Sequence, residues 1–227
     1  MEDKSFSLFD VPSTTGGGTK LPICLILDTS GSMAGTEQSG RGAVVKIDEV
    51  NRNMINLLET IRNDANARLI TDICIIQCGG NAPTVVCGYT SVDKLRFLPL
   101  KANGRTPLGT SVDLALDLLQ KRRQYYRDNS VEHYKPIMLI MSDGMPTDEY
   151  VDPARRCCDF VVNEGLKVLP IGIGGDAKLD ILKQFSPVNP AVIIHDMDVF
   201  SEMFQLLSRS TSNPADNSVF DWLNEQV

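Results

Sequence analysis

Residues 21–32 read Leu-Pro-Ile-Cys-Leu-Ile-Leu-Asp-Thr-Ser-Gly-Ser. Leu21 to Leu27 is a continuous apolar run of strand length, and such a run suits a central parallel strand buried on both faces. The run stops at Asp28, and the next residues are hydroxylated or glycine. In an open α/β sheet, ligands bind outside the carboxyl ends of the strands, where the strand order reverses. The loops that leave apolar strands are therefore the places to look for chemistry.

Outward from this segment the pattern repeats. A polar, glycine-rich turn is expected from Asp28 to Gly42, and then a helix with Ile47, Val50, Met54, Leu57, Leu58 and Ile61 on one face. Leu69 to Gln77 reads as a strand, with Val85 to Tyr89 as its hairpin partner across Gly79-Gly80-Asn81. Phe97 to Leu100 reads as a short edge element. The loop Lys101 to Pro107 leads into a helix with Leu108, Val112, Ala115, Leu116 and Leu119 on its apolar face. Ile137 to Met141 is a second uninterrupted apolar strand, and Leu166 to Ile173 a third. Helices are expected from about Pro153 to Glu164 and from Lys178 to Phe185. Val192 to Ile194 is a last strand, and the last helix presents Phe200, Met203, Phe204 and Leu207. Strands alternating with amphipathic helices predict an α/β fold, a Rossmann-like, doubly wound and mainly parallel sheet with helices on both faces.

The expected organisation is a flexible tail over residues 1–20, one domain over 21–210 and a second tail over 211–227. The last tail holds Val219-Phe220-Asp221-Trp222-Leu223, with the only tryptophan. It reads equally as a segment packed on its own domain or as a docking motif for a partner.

The 227 residues carry a formal net charge of −7, which argues against nucleic acid as a partner, because that needs clustered cations. The one basic run, Lys121-Arg122-Arg123, is read as favourable pairing with a helix C-terminus. No stretch has the length of a membrane-spanning helix, so no membrane is expected as a partner. No basic segment followed by an apolar run opens the chain, and a cytoplasmic location is expected. The six cysteines (Cys24, Cys74, Cys78, Cys87, Cys157 and Cys158) lack zinc-knuckle spacing and read as reduced thiols.

Three loops are chemically unusual. Asp28-Thr29-Ser30-Gly31-Ser32 places a carboxylate and two hydroxyls at alternate positions, and Gly31 is expected to let the backbone turn tightly so that they converge. Gly104-Arg105-Thr106-Pro107 offers another hydroxyl just before a helix, and Ser142-Asp143-Gly144 a carboxylate at the end of the second apolar strand. Asp28, Ser30, Ser32, Thr106 and Asp143 together form a hard oxygen set. Such a set suits Mg²⁺, or Mn²⁺ or Ca²⁺, and disfavours zinc or copper. Each piece alone has an ordinary explanation as a cap or turn; the three in this order do not.

With these residues the chain resembles the von Willebrand factor A domains, whose metal-ion-dependent adhesion site has the pattern Asp28-x-Ser30-x-Ser32, then Thr106, then Asp143. The resemblance spans roughly residues 20–210. Within that family the chain looks most like the bacterial TerY-like branch associated with tellurite resistance. The residues that carry this are Leu27 to Met33, Thr106-Pro107-Leu108-Gly109 and Ser142 to Asp148. The resemblance implies that Ser30 and Ser32 bind the ion directly, with Asp28, Thr106 and Asp143 binding directly or through water. It further implies a protein partner that presents Asp or Glu to the ion, with a protein kinase or a phosphatase as the suggested associate. Arg105 departs from the glycine common before the loop threonine.

The alternative is a metal-dependent phosphohydrolase on the same scaffold. Haloacid-dehalogenase phosphatases also place Asp after the first strand, but most need a second Asp where Ser30 stands. Residues 104–111 have P-loop glycine spacing, with Thr110 in place of the phosphate-binding lysine. His133 and His195 lack a local triad context. The chain is accordingly expected not to be an enzyme. Its oligomeric state is open.

Overall fold

The computed structural model describes residues 18–39, 42–143, 145–175 and 177–225. Among the described residues eight strands and seven α-helices follow one another: β1 (Leu21–Asp28), β2 (Thr36–Ser39), β3 (Gly42–Val45), α1 (Lys46–Asn63), α2 (Ala65–Ile70), β4 (Thr71–Cys78), β5 (Thr84–Ser91), α3 (Leu108–Asp128), β6 (Ile137–Ser142), α4 (Val151–Glu164), β7 (Lys167–Ile173), α5 (Leu179–Leu182), β8 (Val192–Ile194), α6 (Met197–Ser212) and α7 (Ser218–Glu225).

Six strands form one sheet in the order β5-β4-β1-β6-β7-β8. All neighbours are parallel except β5, which runs antiparallel along the edge. The apolar runs read from the sequence are the inner strands, and alternation along them divides the core in two. Ile23, Leu25, Leu27, Leu139 and Met141 face one side with Ile47, Met54, Met203 and Phe204. Cys24, Ile26, Met138 and Ile140 face the other with Leu108, Val112, Ala154 and Phe160. Helices α1, α6 and α7 therefore cover one face and α3 and α4 the other, the doubly wound arrangement expected. Because both faces of β1 are covered, all eight of its residues are buried, which is why its sequence shows no polar alternation.

The chain turns back at β1. One half of the sheet is laid down outward through β4 and β5, the other through β6, β7 and β8. The strand order thus reverses between β1 and β6, and their carboxyl ends carry Asp28 and Ser142-Asp143.

Several details differ from the sequence reading. The stretch from Asp28 to Gly42 is not one turn: it contains a 3₁₀ turn at Gly31–Ala34 and the strand β2, which pairs with β3 as a small ribbon outside the main sheet. Those strands are four residues long and mostly solvent-facing, so they lack the apolar signature of the inner ones. Leu69 and Ile70, expected in a strand, belong to the short helix α2, and Leu69 is exposed. Phe97 to Leu100 forms no strand. The basic run lies inside α3, which continues to Asp128. Arg122 is buried against Asp72 at 2.5 Å and Arg123 pairs with Glu164, so they serve tertiary ion pairs rather than the helix end. All six cysteines are free thiols.

Residues 1–17 of the expected N-terminal tail lie outside the described residues. Beyond residue 210, α6 runs on to Ser212 and α7 follows. Val219, Phe220 and Trp222 are buried in the same core as β1. Of the two readings of that segment, this is the packed one. Among the described residues no helix is long and apolar enough to cross a membrane.

Candidate metal centre

The parallel register of β1 and β6 sets Leu27 beside Met141. The next residues along, Asp28 and Ser142, therefore lie side by side where the strands end. The Ser142 hydroxyl donates to Asp28 Oδ2 at 2.7 Å, and the Asp143 N–H reaches the same oxygen at 3.3 Å. Asp28 Oδ1 accepts the Ser30 N–H at 2.8 Å. These bonds fix the Asp28 carboxylate across the gap between the two strands. It is fully buried, and burial holds its carboxyl above the ordinary value, against the lowering effect of the Ser30 and Ser142 bonds; the nearby Asp143 pushes the same way as burial.

The loop after β1 brings its hydroxyls together. Ser30 Oγ and Ser32 Oγ are 2.9 Å apart, and the Ser32 hydroxyl donates to Asp143 Oδ1 at 2.6 Å. Gly31 achieves this without a left-handed backbone. It opens the 3₁₀ turn, and a side chain there would meet only ordinary contact with the Gly104 carbonyl. The expected conformational need for glycine at this position is therefore corrected. The glycine that needs its conformation is Gly104, at φ 72°, where a Cβ would also run into the Gly80 backbone.

Asp28, Ser30, Ser32 and Asp143 thus join in one network of hydrogen bonds. Thr106 is brought to it by the backbone. Gly31 N–H donates to Gly104 O at 3.0 Å and Asn103 N–H to Thr29 O at 2.6 Å, which stitches the 101–107 loop to the loop after β1. On its other side, Thr147 N–H donates to Thr106 O at 2.9 Å, and Thr106 N–H donates to Thr147 Oγ1 at 3.2 Å. Thr106 is nearly buried between them, and its hydroxyl makes no hydrogen bond to the other four. Ser32 is exposed, as are Arg105 and Met145, so the cluster opens to solvent on that side.

Four residues around this centre were given no role in the sequence reading, although Ser142, Thr147 and Asp148 lie in a stretch it singled out. Ser142 orients Asp28. Thr147 holds Thr106. Asp148 accepts from the Gly109 and Thr110 N–H groups at 3.1 and 2.8 Å and so caps α3 from a distant loop. Lys46, the first residue of α1, places Nζ 2.5 Å from Asp143 Oδ2, with both side chains almost wholly buried. A lysine opening a helix runs against the helix dipole, and that was the available signal for Lys46. The other three act across sequence separations that no local pattern reveals.

The donor chemistry fits a hard cation. Among the described residues no three His, Cys, Asp or Glu side chains come close enough to hold a metal. A site must therefore combine carboxylates with hydroxyls, and this cluster supplies two of the first and up to three of the second. Neither histidine belongs to it: His133 bridges Lys20 just before β1, at the strand end opposite Asp28, and His195 is exposed after β8.

The family model for the von Willebrand factor type A domain matches residues 23–207. No curated protein sequence matches the chain. Among solved structures it is similar to proximal thread matrix protein 1 of the mussel byssus, at 16% identity, TM-score 0.56, covering 84% of this chain and 47% of that one. A further structure of that mussel protein has a zinc-occupied metal-ion-dependent adhesion motif, at 15% identity and TM-score 0.58, covering 86% of this chain and 46% of that one. A von Willebrand factor type A protein from Catenulispora acidiphila matches at 17% identity and TM-score 0.59, covering 86% and 43%. Manganese-loaded TRAP protein of Plasmodium vivax matches at 15% identity and TM-score 0.50, covering 81% and 71%. The chain spans a little under half the length of the first of these structures.

Proposed function

The chain belongs to the von Willebrand factor type A family, and from that premise we propose that it is a non-enzymatic protein-binding module that works through a divalent cation. The observation that carries this is the single network joining Asp28, Ser30, Ser32 and Asp143 where the strand order reverses. Asp28, Ser30, Ser32 and Asp143 would hold the ion, with Thr106 beside them. When bound, the ion would supply a Lewis-acid position able to take a partner's Asp or Glu carboxylate. The protein's own contribution is to fix the carboxylates and aim the hydroxyls, so that little reorganisation is needed on binding. The two metal-loaded structures named above support a divalent ion in this fold. Mg²⁺ is our choice because every donor is a hard oxygen.

Within the family we read the chain as TerY-like, on the stretches Leu27 to Met33, Thr106 to Gly109 and Ser142 to Asp148. That reading carries a cytoplasmic chain working beside a protein kinase or a phosphatase. The test is calorimetric titration with Mg²⁺ and Mn²⁺ of the wild type, Asp28→Ala and Asp143→Ala. Saturable binding by the wild type and loss in both variants is expected. Equal binding by all three would sink the assignment. A generic phosphatase assay run alongside separates the phosphohydrolase alternative: hydrolysis that depends on Asp28 would favour it.

A further inference from the structure

Two carboxylates lie buried within one hydrogen-bonded cluster, and one cation is already set against them. Lys46 Nζ sits 2.5 Å from Asp143 Oδ2, while the other oxygen of the same carboxylate accepts from Ser32. The lysine therefore takes the carboxylate oxygen that Ser32 leaves open. Its placement is built in. The Lys46 N–H donates to Gly35 O at 2.9 Å, and the side chain runs back alongside Gly35. The Lys46 and Asp143 side chains are 8% and 0% exposed. The pair with Asp143 gives this buried side chain its carboxylate partner.

Resting on the metal-site reading above, we propose that Lys46 is a resident counter-charge that lowers the affinity of the centre for its ion and raises its demand for an acidic partner. The charge balance gives the reason. Asp28, Asp143 and Lys46 leave one net negative charge; a divalent ion turns this into one net positive charge, and a partner's carboxylate then brings it to zero. Without the lysine, the ion alone neutralises the two aspartates, and an incoming carboxylate leaves the centre negative. Lys46 thus shifts the neutral state from ion-loaded to ion plus acid, and in the absence of the ion it compensates Asp143. A unit charge near a divalent ion at the effective dielectric of a partly buried site changes the ion's affinity by more than roughly tenfold.

The experiment compares Mn²⁺ titration of the wild type, Lys46→Met and Lys46→Gln, with thermal melts in EDTA and in saturating Mn²⁺. Tighter Mn²⁺ binding in both variants, by roughly tenfold or more, is expected, together with a lower melting temperature in EDTA that recovers with Mn²⁺. Lys46→Gln keeps a hydrogen-bond donor to Asp143 and carries the comparison if Lys46→Met does not fold. Wild-type binding with unchanged or weaker affinity in a folded variant overturns the proposal while leaving the metal site standing. Binding by none of the three overturns the metal site and this inference with it.

Discussion

The ion pairs of this chain differ sharply in what each side chain contributes. Arg122 and Asp72 are 4% and 1% exposed, and Asp72 Oδ2 accepts from both Arg122 at 2.5 Å and the Tyr126 hydroxyl at 2.6 Å. Asp72 Oδ1 and Arg122 Nε have no hydrogen-bond partner. Such a pair adds little net stability, because desolvation offsets most of the attraction, but breaking it leaves a buried charge alone. Arg122→Met is therefore expected to cost ~3–5 kcal/mol, read as a lower urea midpoint with an unchanged slope. The same change at Arg155, whose pair with Asp152 is 70% and 74% exposed, is expected to cost less than ~1 kcal/mol. Equal losses at the two positions would show that burial is not what distinguishes them. Two of the three cations of the Lys121-Arg122-Arg123 run are thus committed to tertiary partners.

At the scale of elements, the centre depends on how α3 is anchored. Its first N–H groups are satisfied by Asp148 across about forty residues of sequence, and Gly109 lets the helix start lie against the 149–150 backbone, where a Cβ would fall on the Glu149 carbonyl. Asp148→Ala is expected to cost ~1–2 kcal/mol, the ordinary range for a lost helix cap, and also to weaken Mn²⁺ binding, since Thr106 sits between the same two segments. Lost stability with unchanged ion affinity would remove Thr106 from the ion's surroundings. These dependencies mark the limit of what the sequence displays. The inner strands are legible because a strand covered on both faces must be apolar throughout; Asp28, Ser30, Ser32 and Asp143 are legible because they follow such runs at strand ends, and Thr106 because its hydroxyl precedes the start of a helix. The β2–β3 ribbon is not, because four-residue strands facing solvent have no such constraint. Asp148 and Lys46 are not, because their partners are distant in sequence and their roles appear only once the sheet has set its register.

For the molecule as a whole, the question is whether α7 is an appendage or part of one cooperative unit. Phe220 and Trp222 are 7% and 6% exposed within the core that includes β1, and Val219 is fully buried there. Lys167 on β7 ties the segment down from outside, donating to Asn217 Oδ1 at 2.8 Å and lying 4.8 Å over the Phe220 ring. A helix of eight residues has little stability of its own, so its structure must be borrowed from the sheet it covers. The single tryptophan makes this measurable. Its emission in the native state is expected to be blue-shifted, and its urea transition to coincide with that of the far-ultraviolet circular dichroism. Phe220→Ala, which leaves the probe in place, is expected to shift both transitions together by ~3 kcal/mol. If the fluorescence transition precedes the dichroism transition, or moves alone in the variant, α7 unfolds locally. Coincidence in both proteins would instead extend the folded unit through Trp222, and any binding surface for a partner would then have to be sought elsewhere, at the open face beside Ser32, Arg105 and Met145.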